Sequence, residues 1–357
     1  MYFADCYNTK RFNLFAFIAL IIFSFLIGVR TNFGNDHQNY MHLYMAQKLD
    51  FFEPIYAYLN IFLFSHCIPF QILFTLIAFI EFLFLEKATK LLKVKYFWVI
   101  LFFFIFRFFA FFVNGLRQAV AISIAMCAVI FYFHKKYIYF ILLILLSCGF
   151  HKSSVIFLLF CPLTKIIKLS SKKFLDCLFY IPLLFAFVFY DQLWDIILNI
   201  LQKISFFLPA NFQFLIEALS IWKIDIGSGM GVRLQILGYI LLLPNLLFFA
   251  HKDIKVKYLF LLFYFGVLGK YFSGQNMNLS RLFFGLEYCG IFLFSRIMPN
   301  INKNNILVLR NVSFLIGITF YIILFFYDSA KGVNSVGPTP YVWDLDFSFK
   351  NYFHEGL

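Results

Sequence analysis

The sequence is built from apolar runs, many of them about 18 residues or longer, that recur from one end of the chain to the other. Of its 357 residues, 63% are hydrophobic and only 13% are charged, a balance that soluble domains seldom have. Inside a lipid bilayer only helices and closed barrels satisfy their backbone polar groups, and continuous apolar runs are typical of helices. The sequence therefore predicts an all-α polytopic membrane protein with a single membrane-embedded domain over residues 1–357.

The apolar runs and the basic clusters between them predict about 11 spans, with the N-terminus in the cytoplasm and the C-terminus outside. Residues 54–68 are too short to cross the bilayer, at roughly 22 Å, so we predict a re-entrant or interfacial helix there. Residues 137–167 are predicted to form two short helices that meet at His151 and Lys152. The remaining spans are predicted at residues 14–29, 70–85, 96–113, 116–133, 174–190, 232–250, 258–272, 279–297 and 305–327.

The predicted outer side comprises a polar, aromatic loop at about residues 30–53, a longer loop at 191–231 and a tail at 328–357. The net charge of +13 lies mostly in short clusters between apolar runs, so the positive-inside bias accounts for it better than nucleic-acid binding does. The seven cysteines form no CxxC pair and are predicted to be small buried hydrophobes. No cofactor and no metal is expected.

Isolated cations on the predicted outer side are informative, because the charge bias does not require them there. The forked guanidinium of arginine binds phosphate oxygens in bidentate fashion and keeps its charge when partly buried. We expect such cations to line a mouth that holds a phosphate-bearing lipid. The alternative for each is a pairing with a nearby carboxylate or with a membrane phosphate. The set is Arg30, Arg107, Arg117, Lys152, Arg233, Lys270 and Arg281.

Two interruptions of the apolar sequence support the prediction of a phosphate-binding site on the outer side. Asn114 and Gly115 break one helix so that Leu116 begins the next, which places Arg117 and Gln118 in its first turn. Free N–H groups and the helix dipole favour an anion at that position. The second interruption is the segment 149–154, which carries His151 and Lys152 between two apolar runs.

Two residues are candidates for a general base that activates a hydroxyl group. Asp36 lies in the first outer loop, where the alternative is an ordinary Asx turn after Gly34. His151 is the second candidate, and it could instead donate a hydrogen bond to phosphate or be a satisfied buried histidine. Glu81 and Glu287 are predicted to form interhelical pairs. Asp344 and Asp346 have the DxD spacing of metal-binding nucleotide-sugar enzymes, but an outer tail is a poor place for that chemistry.

Taken together, these segments resemble the EpsG branch of the Wzy-like polysaccharide polymerases. The matching residues include Arg30, Phe33-Gly34, Asp36 and Tyr40 in the first loop, and Glu53-Pro54 at the start of the next segment. The rest of the match follows in sequence order and consists of Asn114-Gly115-Leu116-Arg117-Gln118, Phe150-His151-Lys152-Ser153-Ser154, Gly231, Arg233 and Arg281.

The resemblance implies a GT-C-like glycosyltransferase of the bacterial inner membrane that polymerises O-antigen or capsular repeat units on undecaprenyl diphosphate. Arg117, Lys152, Arg233 and Arg281 would stabilise the leaving diphosphate. Asp36 would be the base, and Tyr40 and Tyr44 would contact sugar. Membrane lipids, a flippase and a chain-length regulator would be the partners.

Two other functions fit parts of the same pattern. A flippase for lipid-linked oligosaccharides would also need cations that face a lipid diphosphate, but in a cavity open alternately to both sides. A membrane acyltransferase acting on surface glycans would need an acyl-donor site on the cytoplasmic side, where the loops are short and merely basic. The outward bias of the isolated cations and the long outer loops favour the polymerase.

Overall fold

The computed structural model describes residues 14–31, 36–50, 52–106, 108–167, 169, 176–205, 230–273, 277–299 and 342–343. Within these ranges the chain is helical, with 14 α-helices, as the sequence predicts. The chain divides into two compact units, one of Met1–Leu158 with Phe325–Leu357 and the other of Leu159–Leu324. Each unit is described by itself.

The first unit is built around a buried helix, α7. Its helices in chain order are α1 (Leu14–Gly28), α2 (His37–Ala46), α3 (Pro54–Ser65), α4 (Phe70–Leu92), α5 (Tyr96–Ile105), α6 (Phe108–Asn114), α7 (Leu116–Phe133) and α8 (Tyr137–Phe150). A 3₁₀ turn, Lys152–Val155, follows α8 and leads into α9 (Ile156–Ile166), within which the first unit ends at Leu158. Helix α7 packs between α4 and α8, and nearly all of its side chains are buried.

A close approach of backbones holds α1 against α4. A Cβ atom built on Gly28 would lie only 1.7 Å from the Thr75 hydroxyl oxygen, so a side chain larger than hydrogen does not fit there. Packing of this kind is typical of helices within a membrane, where small residues let backbones come together.

Helix boundaries in the first unit agree with the sequence in three places and differ in two. Helix α7 has the predicted bounds, α3 is a short separate helix, and the 137–167 segment is two helices that meet at His151 and Lys152. The predicted span 96–113 is instead broken between Ile105 and Phe108. Arg107, at this break, lies outside the described residues. Helix α4 continues past residue 85 to Leu92 and includes charged residues in its last turns. It ends where Lys93 adopts a left-handed conformation with φ 57°.

The second unit is also helical. After a 3₁₀ turn at Cys177–Phe179, its helices are α10 (Tyr180–Ser205), α11 (Met230–Lys252), α12 (Ile254–Phe272), α13 (Met277–Tyr288) and α14 (Gly290–Ile297). Helices α12 and α13 approach so closely that a Cβ atom on Gly266 would lie 2.2 Å from the Glu287 nitrogen.

Three boundaries here correct the sequence prediction. Helix α10 continues to Ser205 through a kink at Phe189, so the outer loop does not begin at residue 191. Helix α12 begins four residues earlier than predicted, at Ile254, where the Asp253 side chain caps it. The predicted span 279–297 is interrupted at Cys289. The span at 305–327 and residues 206–229 of the long loop lie outside the described residues.

Among the described residues, two helical stretches are long and apolar enough to cross a membrane by length and composition, namely Leu116–Phe133 and Arg233–Lys252. Helix α3 has 12 residues and reaches about 18 Å, so it falls short of the ~30 Å hydrocarbon core. The predicted count of about 11 spans remains a prediction.

A short antiparallel strand pair joins distant parts of the first unit. Strand β1 (Arg30–Thr31) pairs with β2 (Val342–Trp343), with Arg30 opposite Trp343. Val342 and Trp343 therefore lie beside the end of α1, although more than 300 residues separate the two strands in sequence.

Candidate functional site

Hydrogen bonds in the corner between α8 and α9 determine the tautomer of His151. The Ser153 backbone N–H donates to His151 Nδ1 at 3.3 Å, and the Ser153 hydroxyl lies 2.7 Å from the same nitrogen. Because a backbone N–H can only donate, Nδ1 accepts, and the neutral imidazole then carries its proton on Nε2. His151 is therefore better suited to donate a hydrogen bond than to act as a base.

Buried hydroxyl groups anchor this corner to α7. Ser147 donates to the Ala121 carbonyl at 2.6 Å, and the Ser147 and Ser154 hydroxyls share a hydrogen bond of 2.6 Å. The Gln118 amide donates to the Ser153 hydroxyl at 3.4 Å. Gln118, predicted in the first turn of α7, is thus held against the corner.

Glu53 brings the two predicted cationic positions together. Arg117 Nη1 donates to Glu53 Oε2 at 2.6 Å, and the Lys152 backbone N–H donates to Glu53 Oε1 at 3.2 Å. Glu53 directly precedes α3, but its side chain does not cap that helix and reaches these two donors instead. The ion pair is partly buried, with 20% of the Arg117 side chain and 12% of the Glu53 side chain exposed.

Aromatic rings surround the Arg117 guanidinium. Its carbon lies 4.2 Å from the centre of the Phe52 ring and 5.6 Å from that of Tyr56, within the range of cation–π attraction. Tyr40 packs edge-on against Tyr56 and also interacts with Arg117. Burial raises the pKa of Tyr40, and the Arg117 charge only partly opposes this, so the hydroxyl stays protonated at neutral pH.

Asp36 belongs to the same neighbourhood. It precedes α2 and is half-buried, and its negative charge contributes to the raised pKa of the Tyr40 hydroxyl. Its side chain makes no capping hydrogen bond to α2, so capping does not account for this carboxylate. We use the name Arg117 site for the group Asp36, Tyr40, Phe52, Glu53, Tyr56, Arg117, Gln118, His151, Lys152 and Ser153.

Two predicted binding residues have other roles. Arg30 is fully buried and donates to the Ile27 carbonyl at 3.0 Å and to the Val113 carbonyl at 2.9 Å, which braces α1 against α6. Tyr44 is fully buried too, and its hydroxyl donates to the Ile68 carbonyl. Both side chains are thus held by backbone carbonyls of the protein, and contact of either with substrate stays a prediction.

Asn114 occupies its predicted place at the helix break. It is buried as the last residue of α6, and Gly115 separates it from the start of α7. Its position fits the predicted helix break, while direct contact with substrate stays a prediction.

The remaining predicted cations belong to the second unit. Arg233 lies in the first turns of α11 and Arg281 in those of α13, and both are half-buried. Lys270 donates to both carboxylate oxygens of Glu287 at 3.0 Å. For Lys270, therefore, the alternative to phosphate binding holds, which is a pairing with a nearby carboxylate. The place of Arg233 and Arg281 relative to Arg117 stays a prediction.

The two membrane carboxylates behave differently from each other. Glu287 forms the predicted interhelical pair, from α13 to Lys270 on α12, and also accepts from the Tyr239 hydroxyl at 2.7 Å. Glu81 is fully buried, and among the described residues neither of its carboxyl oxygens has a hydrogen-bond partner. Among the described residues Glu81 therefore has no hydrogen-bonded partner on another helix, although the Arg30 charge acts on it.

Sequence reasoning missed Glu53 as a member of the site. In the sequence, Glu53 stands out only as the residue before Pro54 at the start of a segment. The available signal was a carboxylate between aromatic residues, Phe52 and Tyr56, in a chain with 17 acidic residues in total. A carboxylate in the predicted outer loop is a candidate partner for one of the predicted outer arginines, although its spacing does not show for which one.

Comparison with known proteins gives a family. No curated protein and no solved structure matches this chain. The EpsG family model matches residues 13–343, which is most of the sequence and includes every residue of the Arg117 site. The chain therefore belongs to the EpsG family, the family of Wzy-like polysaccharide polymerases and glycosyltransferases.

Proposed function

We propose that this protein polymerises lipid-linked oligosaccharide repeat units at the outer face of the bacterial inner membrane. The nascent glycan would be transferred from undecaprenyl diphosphate to the non-reducing-end hydroxyl of the next lipid-linked unit. Family membership supports a polysaccharide polymerase. The specific donor and reaction are what the resemblance to this family implies, and the chemistry of the site supports them.

The observation that carries this proposal is the arrangement around Glu53. Arg117 and Lys152 are 35 positions apart in sequence, yet the guanidinium of one and the backbone N–H of the other bind a single carboxylate. Lys152 also carries an exposed, positively charged side chain. A group of donors that already binds a carboxylate is suited to the oxygens of a lipid diphosphate.

In the proposed reaction, the bond between the anomeric carbon of the nascent glycan and the diphosphate oxygen breaks. A new bond forms between that carbon and the acceptor hydroxyl oxygen, and Asp36 takes the hydroxyl proton. Negative charge develops on the leaving diphosphate, where Arg117 and Lys152 stabilise it most strongly in the transition state. His151, with its proton on Nε2, would donate to a phosphate oxygen, and Tyr40 would orient the acceptor.

The proposal needs the Arg117 site on the outer face, in the topology of about 11 spans with the N-terminus in the cytoplasm. Single cysteines introduced at exposed positions on opposite sides test this orientation in a cysteine-free background. We expect a thiol reagent that does not cross membranes to label Asp50→Cys but not Lys93→Cys in intact cells. Residue 93 directly follows α4 in a cluster of lysines (Lys87, Lys90, Lys93 and Lys95), which the positive-inside bias predicts on the cytoplasmic side. The reverse pattern would contradict the orientation.

Deletion of the gene tests the function directly. We expect the ladder of surface polysaccharide on a gel to collapse to bands that carry a single repeat unit, and the full-length gene to restore it. Loss of all outer glycan would instead indicate a flippase. An unchanged ladder with altered acyl content would indicate an acyltransferase.

A further inference from the structure

The Glu53 carboxylate occupies the position at which an anionic ligand would bind. It accepts hydrogen bonds from Arg117 and from the Lys152 backbone, which are the donors that phosphate oxygens use. We propose that the Glu53 carboxylate competes with the substrate phosphate for these donors. The incoming lipid diphosphate displaces the carboxylate, and the carboxylate later returns to these donors and expels the lipid diphosphate product. This inference rests on the proposed function.

Arg117 has contacts that do not involve Glu53. Phe52 and Tyr56 contact its guanidinium group, and Tyr40 interacts with it from the neighbouring helix α2. A rotation of the Glu53 side chain would leave these three rings where they are. The guanidinium would then remain ready to bind another anion.

Arg117 also has a donor that Glu53 does not use. Its Nε–H is buried and has no hydrogen-bond partner among the described residues. An arginine fork binds a phosphate through two N–H groups at once, whereas Glu53 receives one N–H from Arg117 in this arrangement. A phosphate group can therefore form a more complete set of bonds with Arg117 than Glu53 does.

The negative charge of Glu53 lowers the affinity of the site for any anion. Opposite charges at hydrogen-bonding distance attract strongly when they are partly removed from water, so a ligand must compete with the carboxylate for Arg117. The same competition weakens the hold on the diphosphate product after the glycan has left. Release of a tightly bound product limits the turnover of many enzymes, and a returning carboxylate would accelerate it.

The test measures the binding of inorganic pyrophosphate to the purified full-length protein in detergent, by titration calorimetry. The variant Glu53→Gln keeps the shape of the side chain and removes its charge. The matched control is Glu86→Gln in the same unit, since Glu86 accepts from Lys90 at 2.6 Å and from Tyr96 at 3.0 Å and is similarly exposed, at 17%.

We expect Glu53→Gln to bind pyrophosphate about five- to tenfold more tightly than the wild type, and Glu86→Gln to bind it like the wild type. Arg117→Ala should lose the binding. In cells, Glu53→Gln should slow polymer formation despite the tighter binding, because the product leaves slowly. If this variant is poorly folded, as judged by gel filtration, Glu53→Ala serves in its place with the same expectation.

Unchanged or weaker pyrophosphate binding by Glu53→Gln would overturn the inference and would make Glu53 a residue that merely holds Arg117. Absence of binding by the wild type and by every variant would overturn it as well. Neither result bears on the proposed function, which is tested separately by the deletion ladder. A deletion strain with an unchanged ladder would overturn the proposed function even if pyrophosphate binds as expected.

Discussion

Replacing Arg117 by alanine should abolish long glycan chains while the protein still inserts into the membrane. Loss of one charged donor from a leaving group typically slows the reaction by about 10²- to 10³-fold, or ~3–4 kcal/mol of transition-state stabilisation. The measurement is the polysaccharide ladder of a deletion strain that carries the variant, with the amount of membrane-inserted protein determined in parallel.

The conservative variant and a matched control separate charge from folding. Arg117→Lys keeps the charge but loses the fork, so we expect shortened chains rather than none. Lys90→Ala removes the cation of the Glu86 pair, which lies outside the site, and should leave the ladder unchanged. Chains of normal length in Arg117→Ala would remove this residue from the mechanism.

Replacing Asp36 by asparagine should leave single repeat units on the acceptor without polymerisation. A general base contributes roughly 10²- to 10⁴-fold, and an amide of nearly the same shape cannot accept the acceptor's proton. Asp36 is half-buried beside Tyr40, and the substitution should cost little stability. The same ladder provides the measurement.

Asp50→Asn is the control, because Asp50 is an exposed carboxylate within the same predicted outer loop, residues 30–53. We expect it to behave like the wild type. Normal polymer in Asp36→Asn would move the base elsewhere. His151 would then be a weaker second choice, because its Nδ1 already accepts from Ser153.

Features that depend on local sequence could be predicted well. Asn114 and Gly115 predict the break before α7, and the polar residues His151 and Lys152 predict the corner after α8. The helical fold class follows from the apolar runs, because the backbone N–H and C=O groups of such runs must form their hydrogen bonds within the segment when it lies in lipid. The short length of α3 follows from the small number of residues between Pro54 and Pro69.

Features that depend on contacts between distant segments could not be predicted. Sequence spacing does not show that Glu53 reaches Arg117, because 64 residues and several helices separate them. Arg30 looks like a loop cation until the Val113 carbonyl is found beside it, 83 residues away. Helix boundaries inside charged or aromatic sequence, as at the end of α4 and between α5 and α6, depend on packing that local propensity does not describe.

A glycine at the end of α8 links the corner mechanically to α3. A Cβ atom on Gly149 would lie 2.3 Å from the terminal methyl carbon of Ile55, so the Ile55 side chain packs directly on the α8 backbone two residues after Glu53. A tilt of this short helix would therefore shift the histidine corner along with the carboxylate that it carries. Lipids that press on α3 from the side could thus alter the geometry of the anion site without entering it.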